Sequence, residues 1–378
     1  MIQDLNSKAK ELINQFSNEC IACGQCVEAC PIVGDTELKD AVPEAVMEEI
    51  RGLHQNGKIG SLARTRIYSC LFCNTCMPSC PQGLNPGLTF GTSKGLLQEL
   101  GDPQPKGVAG IMPLGVALLE AAVPAFRKRL ENQDQLITEF DNEKLKTVKT
   151  VLYASCFGMV EGSALYKTLK ILERIDPSVC VVAGYENCCG EFQFMGGKPD
   201  DAYQQFDKLI ENLNSLKPER VVMFCPTCKM TFDHHQPNTD WSWTFITDFI
   251  AEHLEKLRPL QEINKSITVH DPCHFVRGVK LAMDSPRKIL NTIPGVEIIE
   301  MGNKGDETLC CGAYAIMGTG KPGYEFRKRR LDQAKGTGAD ILSLYCPGCH
   351  MTLGPESPKI ELQVESILSL LGKSLGVE

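Results

Sequence analysis

Two hydrophobic periods divide the chain. From Thr150 onward, short apolar runs rich in β-branched residues alternate with stretches of helical period: 150–154, 179–183 and 220–224, then 266–270, 296–299 and 341–345. Runs this short, separated by helix-length segments, predict the strands of parallel α/β sheets. Before Thr150 the pattern is helical. Pro43-Glu44-Ala45-Val46-Met47-Glu48-Glu49-Ile50 begins a helix, residues 111 to 147 read as a helical connector, and the polar run from Arg127 to Lys149 is expected on a solvated helix. Residues 101–110, with Pro103 and Pro105, are turn-rich and mark a boundary. The expected organisation is an α-helical module at 1–100, a connector at 101–149, and two α/β domains at 150–260 and 261–378.

The two α/β domains repeat one motif. Cys156, Cys188-Cys189-Gly190 and Cys225-Pro226-Thr227-Cys228 return as Cys273, Cys310-Cys311-Gly312 and Cys346-Pro347-Gly348-Cys349, at offsets of 117, 122 and 121 residues. Two copies so nearly in register suit similar domains packed about a pseudo-two-fold axis. Most of these cysteines fall at or just past the end of a predicted strand, the edge where open α/β sheets bind ligands. Each copy would then gather five cysteines into one crevice.

Composition sharpens this picture at one residue type. Of 378 residues, 43% are apolar and 23% charged, which excludes a disordered or fibrous chain. The 19 cysteines are far more than packing needs. Residues 1–18 mix polar and charged side chains with scattered Leu and Ile and lack the pattern of a secretory signal, so the chain is expected in the cytoplasm, where such cysteines are metal or cluster ligands rather than disulfides. A net charge of −8 gives no footprint for nucleic acid. The apolar stretch 108–126 is long enough to cross a bilayer, but Pro113, Glu120 and Pro124 interrupt it and Arg127, Lys128 and Arg129 follow, so it reads as a buried connector. Attachment at the cytoplasmic membrane face would come only through a partner.

Cys20-x2-Cys23-x2-Cys26-x3-Cys30-Pro31 and Cys70-x2-Cys73-x2-Cys76-x3-Cys80-Pro81 both match the bacterial two-cluster ferredoxin run. In that run the fourth cysteine ligates the other cluster. One [4Fe–4S] cubane is therefore assigned to Cys20, Cys23, Cys26 and Cys80, and another to Cys70, Cys73, Cys76 and Cys30. Zinc bound tetrahedrally by thiolates is the plainer alternative. The helical insertion between the quartets resembles the helical ferredoxin module of respiratory iron–sulfur subunits.

With both constellations in place, the chain resembles the CCG-domain iron–sulfur proteins of the heterodisulfide reductase type, and its layout is similar to that of their D subunit. The resemblance covers nearly the whole chain. It implies a noncubane [4Fe–4S] cluster on Cys156, Cys188, Cys189, Cys225 and Cys228, and a second on Cys273, Cys310, Cys311, Cys346 and Cys349. Zinc on four of the five thiolates in one or both copies is the alternative. By the same resemblance, the ferredoxin module feeds single electrons inward, and the paired clusters hold one sulfur each of a small-molecule disulfide that is reduced or formed between them. The runner-up is a non-catalytic electron-transfer subunit of a flavin-dependent 2-hydroxyacid (glycolate or lactate) or glycerol-3-phosphate dehydrogenase. Completeness of both cysteine sets favours the first reading. No strand runs into a G-x-G-x-x-G turn, so electrons are expected from a flavoprotein, a cytochrome b or another electron-transfer subunit.

The copies differ beside their first cysteines. Tyr153-Ala154-Ser155-Cys156 faces His270-Asp271-Pro272-Cys273-His274. His270 and His274 are candidate proton donors to nascent thiolates, or plain hydrogen-bonding groups. Arg277, Lys321 and the run Arg327-Lys328-Arg329-Arg330 suit an anionic substrate or merely the exposed face of a helix. Cys180 belongs to neither motif and reads as a small buried hydrophobe.

Overall fold

Val, Ile and Leu crowd the runs after Thr150, and in the computed structural model of the chain those runs are buried strands. The structure describes residues 7–105, 121–140, 148–277, 284–318 and 321–377, in two compact units.

The larger unit holds two sheets, both wholly parallel. The first has the order β1-β3-β2-β4-β5, from β1 (Leu136–Ile137), β2 (Thr150–Ala154), β3 (Cys180–Ala183), β4 (Arg220–Met223) and β5 (Ser242–Phe245). The second has the order β7-β6-β8-β9, from β6 (Lys265–His270), β7 (Val296–Ile298), β8 (Ile341–Leu344) and β9 (Gln363–Ser366). Apart from β1 the orders are the same, strand for strand. The inner strands β2 and β8 are buried along their whole length, and each fully buried Val, Ile or Leu there contributes roughly 2 kcal/mol. Six strands lie within a residue or two of the sequence expectation.

Other expectations need correction. No solvated helix fills the polar run after Arg127: Gln133–Gln135 is a single 3-10 turn, and Leu136–Ile137 adds an edge strand to β3, Leu136 against Val181. Two adjacent apolar residues gain more by covering an open sheet edge than by lying on an exposed helix. Residues 141–147 of that run, and most of the apolar stretch 108–126, lie outside the described residues. Among the described residues no helix is long and apolar enough to cross a membrane.

Helices of the two halves meet reciprocally. Gly162–Ile175, after the first cysteine of the first half, packs on the C-terminal helix Ile367–Ser374. Its counterpart Ser285–Thr292 in the second half packs on Ile246–Ala251, the counterpart of the C-terminal helix. Lys167 Nζ and Arg174 Nη2 donate to the carbonyls of Val377 and Leu375 at 3.0 and 2.8 Å, tying the C-terminus to the first half.

The smaller unit is built on the N-terminal module. Ser7–Glu19, Pro43–Asn56 and Ser61–Tyr68 bury one face each and Pro86–Glu99 is buried nearly all round: Ala9, Ile13 and Phe16, then Val46, Met47, Ile50 and Leu53, with Ala63, Ile67, Phe90, Leu96 and Leu97. Two distant segments join it, Gly190–Gln204 and Gly312–Phe326, and each starts at the glycine after a Cys-Cys pair. Phe194, Met195 and Ala202 from the first of these form a small apolar cluster with Phe72, and Cys70, Leu88 and Tyr314 pack against it.

Candidate functional site

All 19 cysteines are described and none is in a disulfide. In the N-terminal module the loops from Cys20 and from Cys70 share one backbone pattern. The residue before the second cysteine is left-handed without being glycine, Ala22 at φ 53° and Phe72 at φ 54°, and the residue after it is left-handed again, Gly24 at 75° and Asn74 at 57°. For a residue with a Cβ this costs about 1–2 kcal/mol. The turn aims backbone donors at sulfur, Ala22 N to Cys20 Sγ at 3.4 Å and Phe72 N to Cys70 Sγ at 3.5 Å.

Cys20, Cys23, Cys26 and Cys80 line one pocket, walled by Phe16 and Met47. Burial pushes the Cys26 thiol up to about 12, Arg66 opposes the shift, and the sulfurs of Cys20, Cys80 and Cys23 add to it. Cys76 is also pushed up by burial against Arg66, and its sulfur neighbours are Cys70, Cys30 and Cys73. The last cysteine of each quartet therefore stands with the first three of the other. Four clustered sulfurs, buried or half-buried, with a backbone N–H aimed at one of them, fit a thiolate-bound cluster, whose positive irons offset the cost of crowding thiolates.

Arg66 borders both groups. It is 1% exposed, its guanidinium lies 4.5 Å from the centre of the Phe90 ring, and Nε and Nη1 have no hydrogen-bond partner among the described residues. Burial works against its charge, but Cys30, Cys70, Cys76 and Cys26 more than restore it.

In the larger unit, the first half brings Cys188 Sγ to 3.7 Å from Cys156 Sγ and Cys228 Sγ to 3.4 Å from Cys189 Sγ. A hydrogen bond with Cys228 draws the Cys225 thiol down, so all five cysteines are connected at the ends of β2, β3 and β4. In the second half Cys311 bonds Cys310 and Cys349, and Cys349 bonds Cys346; the Cys310 contact and burial push the Cys311 thiol well up against the Cys349 contact, and the contacts with Cys311 and Cys346, with burial, push Cys349 well up. Cys273 is buried at the start of the turn after β6. Gly190 at φ 86° and Gly312 at φ 83° make the turns after the Cys-Cys pairs. A Cβ at either would strike a backbone carbonyl, that of Ala202 or Gly323, so glycine here permits the next helix to approach closely. Cys180 lies buried in β3, its thiol raised to about 12 by burial.

The two cysteine sets meet through the elements that carry them. The helix Pro226–His235, with Cys228, packs on the turn Cys273–Val276, and Thr227 Oγ1 is 2.8 Å from His274 Nδ1. Reciprocally, Pro347–Leu353, with Cys349, packs on Ser155–Gly158, with Cys156, and His350 Nδ1 is 2.7 Å from Glu161 Oε1.

Buried polar groups surround the second set. Asp271 is fully buried. Against the pull of burial, Arg287 (2.8 and 2.9 Å), the Gly305 N–H and the Tyr345 hydroxyl (2.8 Å each) hold its carboxyl below the usual range. Arg330 Nε donates to His270 Nδ1 at 2.8 Å. Burial, then Arg330, pushes His270 down to about 3, so the ring is neutral at neutral pH.

Sequence reasoning missed Arg66, Arg287 and the part played by Arg330. The basic run is not one exposed face: Arg327 pairs with Glu356 at 3.0 Å, Lys328 and Arg329 are exposed, and Arg330 is fully buried. A signal was present, because Phe326, Arg330 and Ala334 share one face at helical spacing and the outer two are apolar. Arg277 donates to the backbone carbonyls of Asp306 and Thr308, while the side chain of Lys321 lies outside the described residues.

Comparison with known proteins agrees with this layout. Residues 150–233 and 267–354 match the family described as a cysteine-rich domain (CCG), and residues 16–84 match a 4Fe-4S dicluster domain. The chain is 26% identical to the D subunit of the dihydromethanophenazine:CoB–CoM heterodisulfide reductase of Methanosarcina mazei, over 96% of this chain and 94% of that one. It is 24% identical to the B subunit of the fumarate reductase (CoM/CoB) of Methanothermobacter marburgensis, over 93% of this chain and 71% of the other. Lactate utilization protein A of Oceanobacillus iheyensis is 26% identical over 55% of this chain and 88% of its own length.

Proposed function

The chain belongs to the CCG-domain iron–sulfur proteins of the heterodisulfide reductase type, and from that premise we propose that it reduces, or in reverse forms, a disulfide between two small thiols. It is an iron–sulfur oxidoreductase subunit whose relatives work in complexes, so partner subunits bring or remove its electrons. A flavoprotein, a cytochrome b or a further electron-transfer subunit fits that need. In this reading one cubane is held by Cys20, Cys23, Cys26 and Cys80 and the other by Cys30, Cys70, Cys73 and Cys76. The cysteine sets beginning at Cys156 and Cys273 hold one noncubane cluster each, with zinc in one set as the alternative.

One observation carries the reading. The helix bearing the Cys-x2-Cys pair of each half lies on the element bearing the first cysteine of the other half, in both directions. Reciprocal contacts of this kind mark a two-fold interface. They support a pseudo-two-fold axis that sets the two cysteine crevices face to face, as an electron wire would not require.

The overall change takes R–S–S–R′, two electrons and two protons to R–SH and R′–SH: the S–S bond breaks and each sulfur gains one electron and one proton. When bound, the clusters supply those electrons one at a time. The chain's own part is placement. Its ten CCG cysteines are all buried, so in this reading the bond is broken away from bulk water. In this reading His274, hydrogen-bonded to Thr227 across the halves, is the group that gives a leaving sulfur its proton.

The test is the stoichiometry of the reconstituted chain under anaerobic conditions, with reduced methyl viologen as donor and the CoB–CoM heterodisulfide as probe. Two dye electrons are expected to consume one disulfide and release two thiols. Dye oxidation by a quinone analogue with no thiol released would overturn the reading in favour of a relay subunit.

A further inference from the structure

His270 and Arg330 have donors that nothing among the described residues accepts. Arginine can only donate, so the 2.8 Å contact from Arg330 Nε makes His270 Nδ1 an acceptor and fixes the hydrogen on Nε2. His270 is 0% exposed, and its Nε2 has no partner. Arg330 is equally buried. Its Nη1 donates to the Asn303 carbonyl at 2.8 Å and to Gln333 Oε1 at 3.0 Å, while Nη2 has no partner. An imidazole nitrogen of His270 and the sulfurs of Cys311 and Cys349 lie within 4.8 Å of one another. Buried donors left unmade are costly; the negative charge near them comes from the Asp271 carboxylate, which acts on both groups, and from cysteine sulfurs, Cys310 on His270 and Cys349 and Cys311 on Arg330. With Nδ1 occupied and a hydrogen on Nε2, the ring has no lone pair for a metal.

The first half has no such pair. Tyr153 stands in the place of His270, and its hydroxyl is already used, donating to the Asn187 carbonyl at 2.6 Å. At the 122-residue offset that aligns the Cys-Cys pairs, Arg330 corresponds to Lys208, an exposed residue paired with Glu186 at 2.6 Å.

We propose that Arg330 and His270 make the two cysteine sets unequal: Arg330 locks His270 as a neutral N–H donor toward Cys311 and Cys349, and the second set's cluster is thereby easier to reduce than the first set's. The inference rests on the reading that both sets hold iron–sulfur clusters. Reduction adds one electron, supplied through the N-terminal module, and moves no proton. The added charge spreads onto sulfur, where a fixed N–H and a nearby guanidinium favour the reduced form. His270 is a positioning residue in this account. The expected preference is on the order of tenfold in the one-electron reduction equilibrium, or about 59 mV.

Potentiometric titration of the reconstituted full chain, followed by electron paramagnetic resonance and absorbance with iron and zinc content measured, tests this. His270→Leu is expected to keep its iron and to shift one CCG midpoint down by about tenfold in equilibrium constant. His270→Gln, which still carries an N–H donor, should stay near the parent. Arg330→Met is expected to lower the same midpoint, and it decides the matter if His270→Leu does not accumulate. An unmoved midpoint in an iron-replete His270→Leu or Arg330→Met protein would overturn the inference. So would loss of iron or zinc in both His270 variants, which would make His270 a ligand. Cys311→Ala separates the underlying reading: if it keeps the parent's iron content, the second set holds no cluster and the premise fails, whatever His270 does.

Discussion

Arg66 is the residue on which the N-terminal module's electrostatics turn. A buried guanidinium with two unmade donors beside Cys26, Cys30, Cys70 and Cys76 favours extra negative charge on either cubane, and so raises both potentials. Arg66→Met is expected to lower both cubane midpoints by roughly 60 mV, a tenfold change in each one-electron equilibrium, and to leave the CCG midpoints where they were. Arg66→Lys should recover part of the shift, since a point charge lacks the forked donors. A titration in which one cubane alone moves would show that Arg66 serves a single site. The quartets themselves were legible because eight cysteines at fixed spacing mean little else. Arg66 was not, since one arginine among the polar residues of a short helix has no pattern until its surroundings fold around it.

At the scale of elements, the inner strands and the edge strand β7 could be read from the chain, and the edge strands β1, β5 and β9 could not. β2, β4 and β8 are buried along most of their length and keep an unbroken apolar run. β5 and β9, on the outer edges, read Ser-Trp-Thr-Phe and Gln-Val-Glu-Ser and begin exposed, so no continuous run announces them. The helix Pro43–Asn56 was visible from its period, but its buried His54 was not. His54 lies edge-on to Phe16 at 5.7 Å and hydrogen-bonds Ser93 at 2.8 Å, and burial pushes it down to about 4. Its folded value lies below the unfolded one of about 6.5, so the unfolded chain takes up the proton first. Stability is unaffected above pH 6.5 and is lost as pH falls from there to about 4, by roughly 3 kcal/mol in total. Urea unfolding of the holoprotein at pH 7.5 and 5.5 should show the parent losing about 1 kcal/mol more than His54→Gln over that interval. Parallel losses in the two proteins would contradict the assignment.

For the whole molecule, the duplication was legible as three cysteine motifs at nearly constant offset, and the parallel order of each sheet follows from strands alternating with helices. The unit boundaries were not legible. They fall within the motif itself, at Gly190 and Gly312, because the segment after the first Cys-Cys pair buries Phe194, Met195 and Ala202 with Phe72 of the N-terminal module, and Tyr314 after the second pair packs against that cluster. No local pattern shows which core an apolar segment will join. The reciprocal contacts between halves also appear only in three dimensions. The central claim is that both sets act on one disulfide, and it is tested most directly by comparing Cys189→Ala and Cys311→Ala with the parent for iron content and viologen-driven disulfide reduction. The parent is expected to carry about sixteen irons as four [4Fe–4S] clusters. Each variant should lose part of that iron and all of the disulfide reduction, because the remaining half delivers one electron to a bond that needs two. Substantial disulfide reduction by either variant would contradict the paired site.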